Sequence, residues 1–131
     1  MHQNKSILIV DDDDDDREIF LEALKEVDSS IICMSATNGE EALEFLQNFQ
    51  NPMPSVIFLD MNMPRMNGKE CLTEIRKAEK LQHIPVIIYT TTSRKEDVEE
   101  MRKRGAAHFL TKPTQFDKIS SEIKNVLSKW C

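Results

Sequence analysis

Three uninterrupted apolar runs set the frame of this chain: Ile7-Leu8-Ile9-Val10, Val56-Ile57-Phe58-Leu59 and Val86-Ile87-Ile88-Tyr89. Short runs rich in β-branched residues, without polar alternation, predict strands buried on both faces, as in a parallel sheet covered by helices. Ile31 to Ala36 and Ala107 to Thr111 are weaker strand candidates. The intervening segments change period. Ile19, Phe20, Ala23, Leu24 and Val27 form one helical stripe, Ala42, Leu43, Leu46 and Phe49 a second, and Cys71, Leu72 and Ile75 a third. Ser93 with Glu96 reads as a capping box opening a fourth helix that Gly105 closes. Phe116, Ile119, Ile123, Val126, Leu127 and Trp130 line a fifth.

Strand then helix, repeated five times, predicts βαβ crossovers and an α/β fold: a (βα)5 doubly wound, five-stranded parallel sheet. At 131 residues and 40% hydrophobic content the chain suits one compact domain spanning 1–131, and no low-complexity linker divides it. The fourth helix stands apart. Val98 and Met101 are nearly its only large apolar residues, so it is expected to pack thinly and to be free to move or to meet a partner.

In open α/β sheets ligands bind beyond the carboxyl ends of the strands, which makes the residue after each apolar run the place to look. Asp11 and Asp12 follow the first run, Asp60 the second, Thr90 and Thr91 the third, and Lys112 the fifth strand. Carboxylates crowded on one edge repel, and a hard divalent cation resolves the conflict. Mg2+ suits an open site of one or two carboxylates that leaves room for phosphate oxygens. Asp60 is then a candidate nucleophile toward phosphorus, with Thr90 and Lys112 placed to neutralise charge on the transferring group. The rest of the acidic run, through Asp16, reads as solvated, with Asp15 and Asp16 as helix caps.

Charge and the remaining residues narrow the classes. Seventeen basic against 23 acidic side chains give a net charge of −6, which argues against general attraction to nucleic acid or an anionic membrane. Cys33, Cys71 and Cys131 form no CxxC pair, and His2, His83 and His108 show no ligand spacing. The first apolar run is too short for a signal-peptide core or a membrane span, and the expected location is cytoplasmic.

Taken together, Ile7 to Asp12, then Leu59-Asp60-Met61-Asn62-Met63-Pro64 with Gly68, then Ile84-Pro85 through Thr90, then Gly105-Ala106 through Phe109-Leu110-Thr111-Lys112-Pro113 resemble the response-regulator receiver family, over essentially the whole chain and most closely its stand-alone, chemotaxis-regulator-like members. The resemblance implies the flavodoxin-like strand order 2-1-3-4-5 and no output domain. It implies Asp60 as phosphoacceptor, and Asp11, Asp12, Asp60 and the backbone carbonyl of Asn62 as ligands of Mg2+. Thr90 and Phe109 match the family's switch pair, Lys112 the lysine that pairs with the phosphoryl group, and Lys112-Pro113 a peptide usually held cis. Asn62 and Thr92 stand where the family tunes self-dephosphorylation.

Such a protein is no enzyme in the ordinary sense. It accepts a phosphoryl group from a sensor histidine kinase or a histidine phosphotransfer protein and signals to a protein target through its fourth helix, fifth strand and fifth helix, with homodimerisation as one outcome. Two positions depart from the pattern: Asp14, where a proline is common, and Thr91, where alanine is. Two other classes share the topology. A phosphatase with an aspartate nucleophile would use Asp11 and Asp13 as a DxD pair, but Asp15 stands where its motif wants threonine or valine. A flavin module would need a Ser/Thr/Gly-rich phosphate loop in place of the aspartates.

Overall fold

The computed structural model describes residues 5–48 and 50–131. Strands β1 (Ser6–Val10), β2 (Ile32–Ala36), β3 (Val56–Leu59), β4 (Val86–Thr90) and β5 (His108–Thr111) alternate with helices α1 (Asp14–Val27), α2 (Gly39–Gln47), α3 (Gly68–Lys77), α4 (Lys95–Lys103) and α5 (Phe116–Trp130), with a 3-10 turn at Glu79–Leu81. The five strands form one sheet in the order β2-β1-β3-β4-β5, parallel throughout. Architecture and strand order are those expected from the sequence.

Side chains of a strand alternate between faces, and the apolar runs therefore divide. Leu8, Val10, Ile57, Leu59, Val86 and Ile88 face Ala42, Leu46, Cys71, Leu72, Ile75 and Met101 of α2, α3 and α4. Ile7, Ile9, Val56, Phe58, Ile87 and Tyr89 face Phe20, Ala23, Leu24, Ile119, Ile123 and Val126 of α1 and α5. Phe20, Phe58 and Tyr89 meet edge to face, with centroids 4.8 to 6.1 Å apart. That arrangement adds to area burial worth about 1.5–3 kcal/mol per large side chain. β2 and β5, with one neighbour each, are only partly covered, which explains their weaker apolar patterns.

Local chemistry sets the helix ends, and here three expectations change. Asp13, not Asp15 or Asp16, caps α1: its side chain accepts from the Asp16 N–H, and Asp14 to Asp16 complete an acidic first turn that complements the helix dipole. α4 starts at Lys95 with Arg94 before it, so Ser93 and Glu96 are out of register for a capping box. Instead the Thr92 hydroxyl accepts from the Arg94 N–H at 3.4 Å and donates to Asp97 at 3.2 Å. Within the first stripe Ile19 is 39% exposed. Phe49 of the second stripe lies outside the described residues.

Gly105 ends α4 as expected. Its φ of 109° belongs to the left-handed region, and the bonds Gly105 N–H to Arg102 O and Ala106 N–H to Met101 O complete a Schellman turn. A true capping box occurs at α3, where the Asn67 side chain accepts from the Glu70 N–H and the Glu70 carboxylate accepts from the Asn67 N–H. Gly68 follows it because a Cβ there would stand 2.3 Å from the Asp60 carbonyl oxygen. The start of α3 is thus pressed against the end of β3.

Candidate functional site

Each candidate side chain leaves the sheet at the carboxyl end of a strand, and the sheet's hydrogen bonding continues just past those ends. The Asp11 N–H donates to Ala36 O at 3.0 Å, Asp60 N–H to Val10 O at 3.0 Å, and Lys112 N–H to Thr90 O at 2.7 Å. This extension places Asp11, Asp60, Thr90 and Lys112 side by side. Asp11 and Asp60 are 1% and 7% exposed and Thr90 is fully buried, whereas Asp12 and Asn62 reach solvent.

One carboxylate oxygen from each of Asp11, Asp12 and Asp60 lies within 4.8 Å of the other two. The Lys112 ammonium enters this group, 2.6 Å from Asp11 Oδ2, 2.8 Å from Asp16 Oδ2 and 3.3 Å from Asp60 Oδ2. The second oxygen of Asp11 accepts from the Asp13 N–H at 3.0 Å, and that of Asp60 from the Asn62 N–H at 3.5 Å. Arg17 donates to the Asp11 carbonyl at 2.6 Å and pairs with Asp14.

Burial lifts the Asp11 carboxyl above its ordinary range, outweighing the opposing hydrogen bonds from Lys112 and the Asp13 N–H. Burial alone would lower Lys112. Its hydrogen bonds to Asp11 and Asp16 and the charge of Asp60 prevail and raise it, so the side chain is an ammonium across the physiological range. The Thr90 hydroxyl oxygen is buried and has no hydrogen-bond partner among the described residues. A buried hydroxyl without a partner carries a desolvation cost that an incoming acceptor would relieve.

The donor set fits a hard divalent cation: three carboxylates converge from two strand ends, all ligands are oxygen, and Asp12 faces solvent, where water can complete the shell. A polar cavity of about 390 Å³ lined by Met61, Asn62, Asn67, Lys69, Thr92, Arg94 and Asp97 opens beside it. Phe109 lies half-buried against the α2–α3–α4 side of the sheet, where it lines a second cavity with Val98, Ala106 and His108. The Lys112-Pro113 peptide is trans, contrary to the expected cis form. The intrinsic preference between the two at X-Pro bonds is under about 1 kcal/mol, so the residue pair does not impose an isomer.

Asp16 is the site residue that sequence reading missed. It reads as one more acid in a helix first turn, and its partner is 96 residues away. Burial pushes the Cys33 and Cys71 thiols up to about 12, which disfavours their reactive thiolates. His108 is lowered, first by burial and then by Lys129, and its ring rests on Trp130.

A parallel sheet of this order, with a buried acid, a lysine and an unpartnered threonine hydroxyl at its carboxyl edge, defines a receiver-type α/β module. Residues 7–124 match the response regulator receiver domain, and the chain belongs to that family, which serves two-component signalling and takes phosphoryl groups from histidine kinases. It is 32% identical over 132 residues to the response regulator Rcp1 of Synechocystis sp., covering 96% of this chain and 88% of that protein. The crystal structure of the Mn2+-bound form of Rcp1 superposes with a TM-score of 0.85 at 30% identity, covering 96% of this chain and 94% of that one. The sensor histidine kinase CheAY of Helicobacter pylori is 33% identical over 118 residues, 90% of this chain, which spans only 14% of the length of that protein. Among the described residues no helix is long and apolar enough to cross a membrane.

Proposed function

We propose that the protein is a phosphorylation-driven binding module in which Asp60 accepts a phosphoryl group from a sensor histidine kinase or a histidine phosphotransfer protein. The observation that carries this reading is the convergence of Asp60 with Lys112, Asp11 and Asp12 at one strand-end corner. An Asp60 carboxylate oxygen attacks phosphorus, the bond from phosphorus to the donor histidine nitrogen breaks, and that nitrogen keeps the electron pair. Lys112 then sits 3.3 Å from the acceptor carboxylate, close enough to follow the phosphoryl oxygens, and the Thr90 hydroxyl gains the acceptor it lacks. Asp11, Asp12, Asp60 and the Asn62 carbonyl would hold Mg2+, which would supply neutralising charge to the phosphoryl oxygens. The Mn2+ carried by Rcp1 supports a divalent cation in such a corner.

Phosphorylation adds about −1.5 to −2 charge at Asp60, which shifts an existing equilibrium between surfaces. In this reading Thr90 turns toward the phosphoryl group, Phe109 moves into the space behind it, and a protein target meets α4, β5 and α5 in the cytoplasm. The chain acts as a receiver module, and Asn62 and Thr92 flank the route of the water that ends the signal. The phosphatase alternative loses support because Asp13, the second acid of its DxD pair, caps α1.

Mass spectrometry after phosphoramidate treatment tests the proposal. A single phosphoryl adduct is expected in the wild type with Mg2+, and none in Asp60→Asn or with a chelator. An adduct that persists in Asp60→Asn, or none in the folded wild type, overturns the assignment.

A further inference from the structure

The corner contains one acid that the mechanism above does not use. Of the three carboxylates around the Lys112 ammonium, Asp11 and Asp60 belong to the trio fit to hold a cation, and Asp16 does not. A cation entering the trio competes with Lys112 for the Asp11 and Asp60 carboxylates. An ammonium displaced from both would be a half-buried charge without a partner, which is costly. Asp16 offers a berth on the α1 side of the corner, 2.8 Å away in the resting geometry.

The berth is fixed to the site it serves. The Asp16 N–H donates to Asp13 Oδ1 at 3.0 Å, and the Asp13 N–H donates to Asp11 Oδ1 at 3.0 Å, so two hydrogen bonds in series tie the first turn of α1 to the buried acid at the end of β1. Arg17, on the same turn, holds the Asp11 carbonyl and is engaged with Asp14. The acids of that turn therefore have different tasks, and Asp16 is the one turned to Lys112.

We infer that Asp16 is a positioning residue that keeps Lys112 paired while a divalent cation occupies Asp11, Asp12 and Asp60, and that it thereby sets the affinity of the corner for the cation. The inference rests on the proposed function, since it takes the trio to be a cation site. It distinguishes Asp16 from an added negative charge, because its effect passes through Lys112.

The test is calorimetric titration of Mg2+ into wild type, Asp16→Asn, Asp16→Glu, Lys112→Met and the Asp16→Asn/Lys112→Met double variant, each checked for folding by thermal melting. Asp16→Asn is expected to weaken Mg2+ binding by about fivefold, as for loss of one charge-assisted contact at a partly exposed group. Asp16→Glu is expected to recover most of that loss. In the Lys112→Met background the same Asp16 substitution is expected to change affinity by less than about twofold, the signature of a coupled pair. Equal losses in both backgrounds, or no loss in Asp16→Asn, overturn the inference.

If Lys112→Met does not fold, the nitrogen-15 resonance of the Lys112 ammonium decides. Slow proton exchange is expected in the Mg2+-loaded wild type and fast exchange in Mg2+-loaded Asp16→Asn, and identical behaviour refutes the berth. A wild type that binds neither Mg2+ nor a phosphoryl group refutes the proposed function itself; a wild type that binds both, with Asp16→Asn unchanged, refutes only the role of Asp16.

Discussion

Six consecutive aspartates, Asp11 to Asp16, carry the same functional group into different environments. Asp11 is buried against Lys112, Asp12 faces solvent within reach of Asp11 and Asp60, Asp13 caps α1, Asp14 pairs with Arg17, and Asp16 pairs with Lys112. The 3.6-residue turn of the helix separates Asp13, Asp14 and Asp16 by direction, so one letter yields several chemistries. The same scale governs alkaline stability. Burial raises the Cys33 and Cys71 thiols from 9.0 and the Tyr89 hydroxyl from 10.0, each to about 12, and carboxylate partners raise Lys112 against the pull of burial. For every one of these groups the folded chain holds its proton longer than the unfolded chain. Their contribution is present in full below the unfolded values and is lost as pH rises through the folded ones. Thermal melts are therefore expected to decline from about pH 9 toward pH 12; a midpoint that rises over that range contradicts these environments.

Among the elements, the junction of β3 and α3 places Asp60. The Gly68 N–H donates to Met61 O at 2.9 Å, and the glycine leaves no room for a side chain above the Asp60 carbonyl. Gly68→Ala forces backbone apart at Asp60 itself. A loss of about 1–3 kcal/mol in denaturant unfolding is expected, together with slower phosphoryl uptake, and a variant as stable as the wild type would show that the loop yields freely.

α4 is the opposite case. It buries Met101 as its one fully covered side chain and otherwise relies on polar links to α3: Lys69 to Glu100 at 3.0 Å, Arg104 to the Thr73 hydroxyl at 2.8 Å, and Arg76 to the Gly105 carbonyl at 2.9 Å. Partly exposed ion pairs contribute little and are screened by salt. Amide exchange in α4 is therefore expected to be faster than in α1 or α5 and to quicken further at 1 M salt. Protection equal to that of α1 would mean that apolar packing holds the helix.

The whole molecule places its chemistry on a rigid two-sided core. Seven buried aliphatic strand residues, Ala36 among them, face α2, α3 and α4, and six others, two of them aromatic, face α1 and α5. Phe58 lies at the centre of the second side, against Phe20 and Tyr89. Phe58→Ala is expected to cost about 3–5 kcal/mol in denaturant unfolding while leaving the side chains of the acidic corner chemically intact, a separation readable as lowered stability with phosphoryl uptake retained at low temperature. A cost below about 1 kcal/mol would mean that the site collapses without a cavity.

Much of this was legible in the chain because strands β1, β3 and β4 are written as contiguous apolar runs, and the residue after each run must emerge at one edge of a parallel sheet. Asp11, Asp60 and Thr90 follow from that rule, and Lys112 from the weaker fifth strand. The Asn67–Glu70 capping box went unread, although Asx followed three residues later by Glu is its signature, while the Ser93–Glu96 pair carried a like signal one residue out of register with the start of α4. A local pattern cannot say which competing start the backbone will take, since that depends on where Thr92 and Asp97 find each other.

The sequence by itself determined the class of fold, the number of repeats, the residues at the strand ends and the net acidity, because each rests on periodicity or adjacency over a few residues. Only the tertiary structure decided that Ile19 stays partly exposed, that the Thr90 hydroxyl finds no partner among the described residues, and that Asp16 meets Lys112. The physical reason is the same each time: these outcomes depend on distances between segments far apart in the chain, where burial and pairing, not local propensity, set the energy.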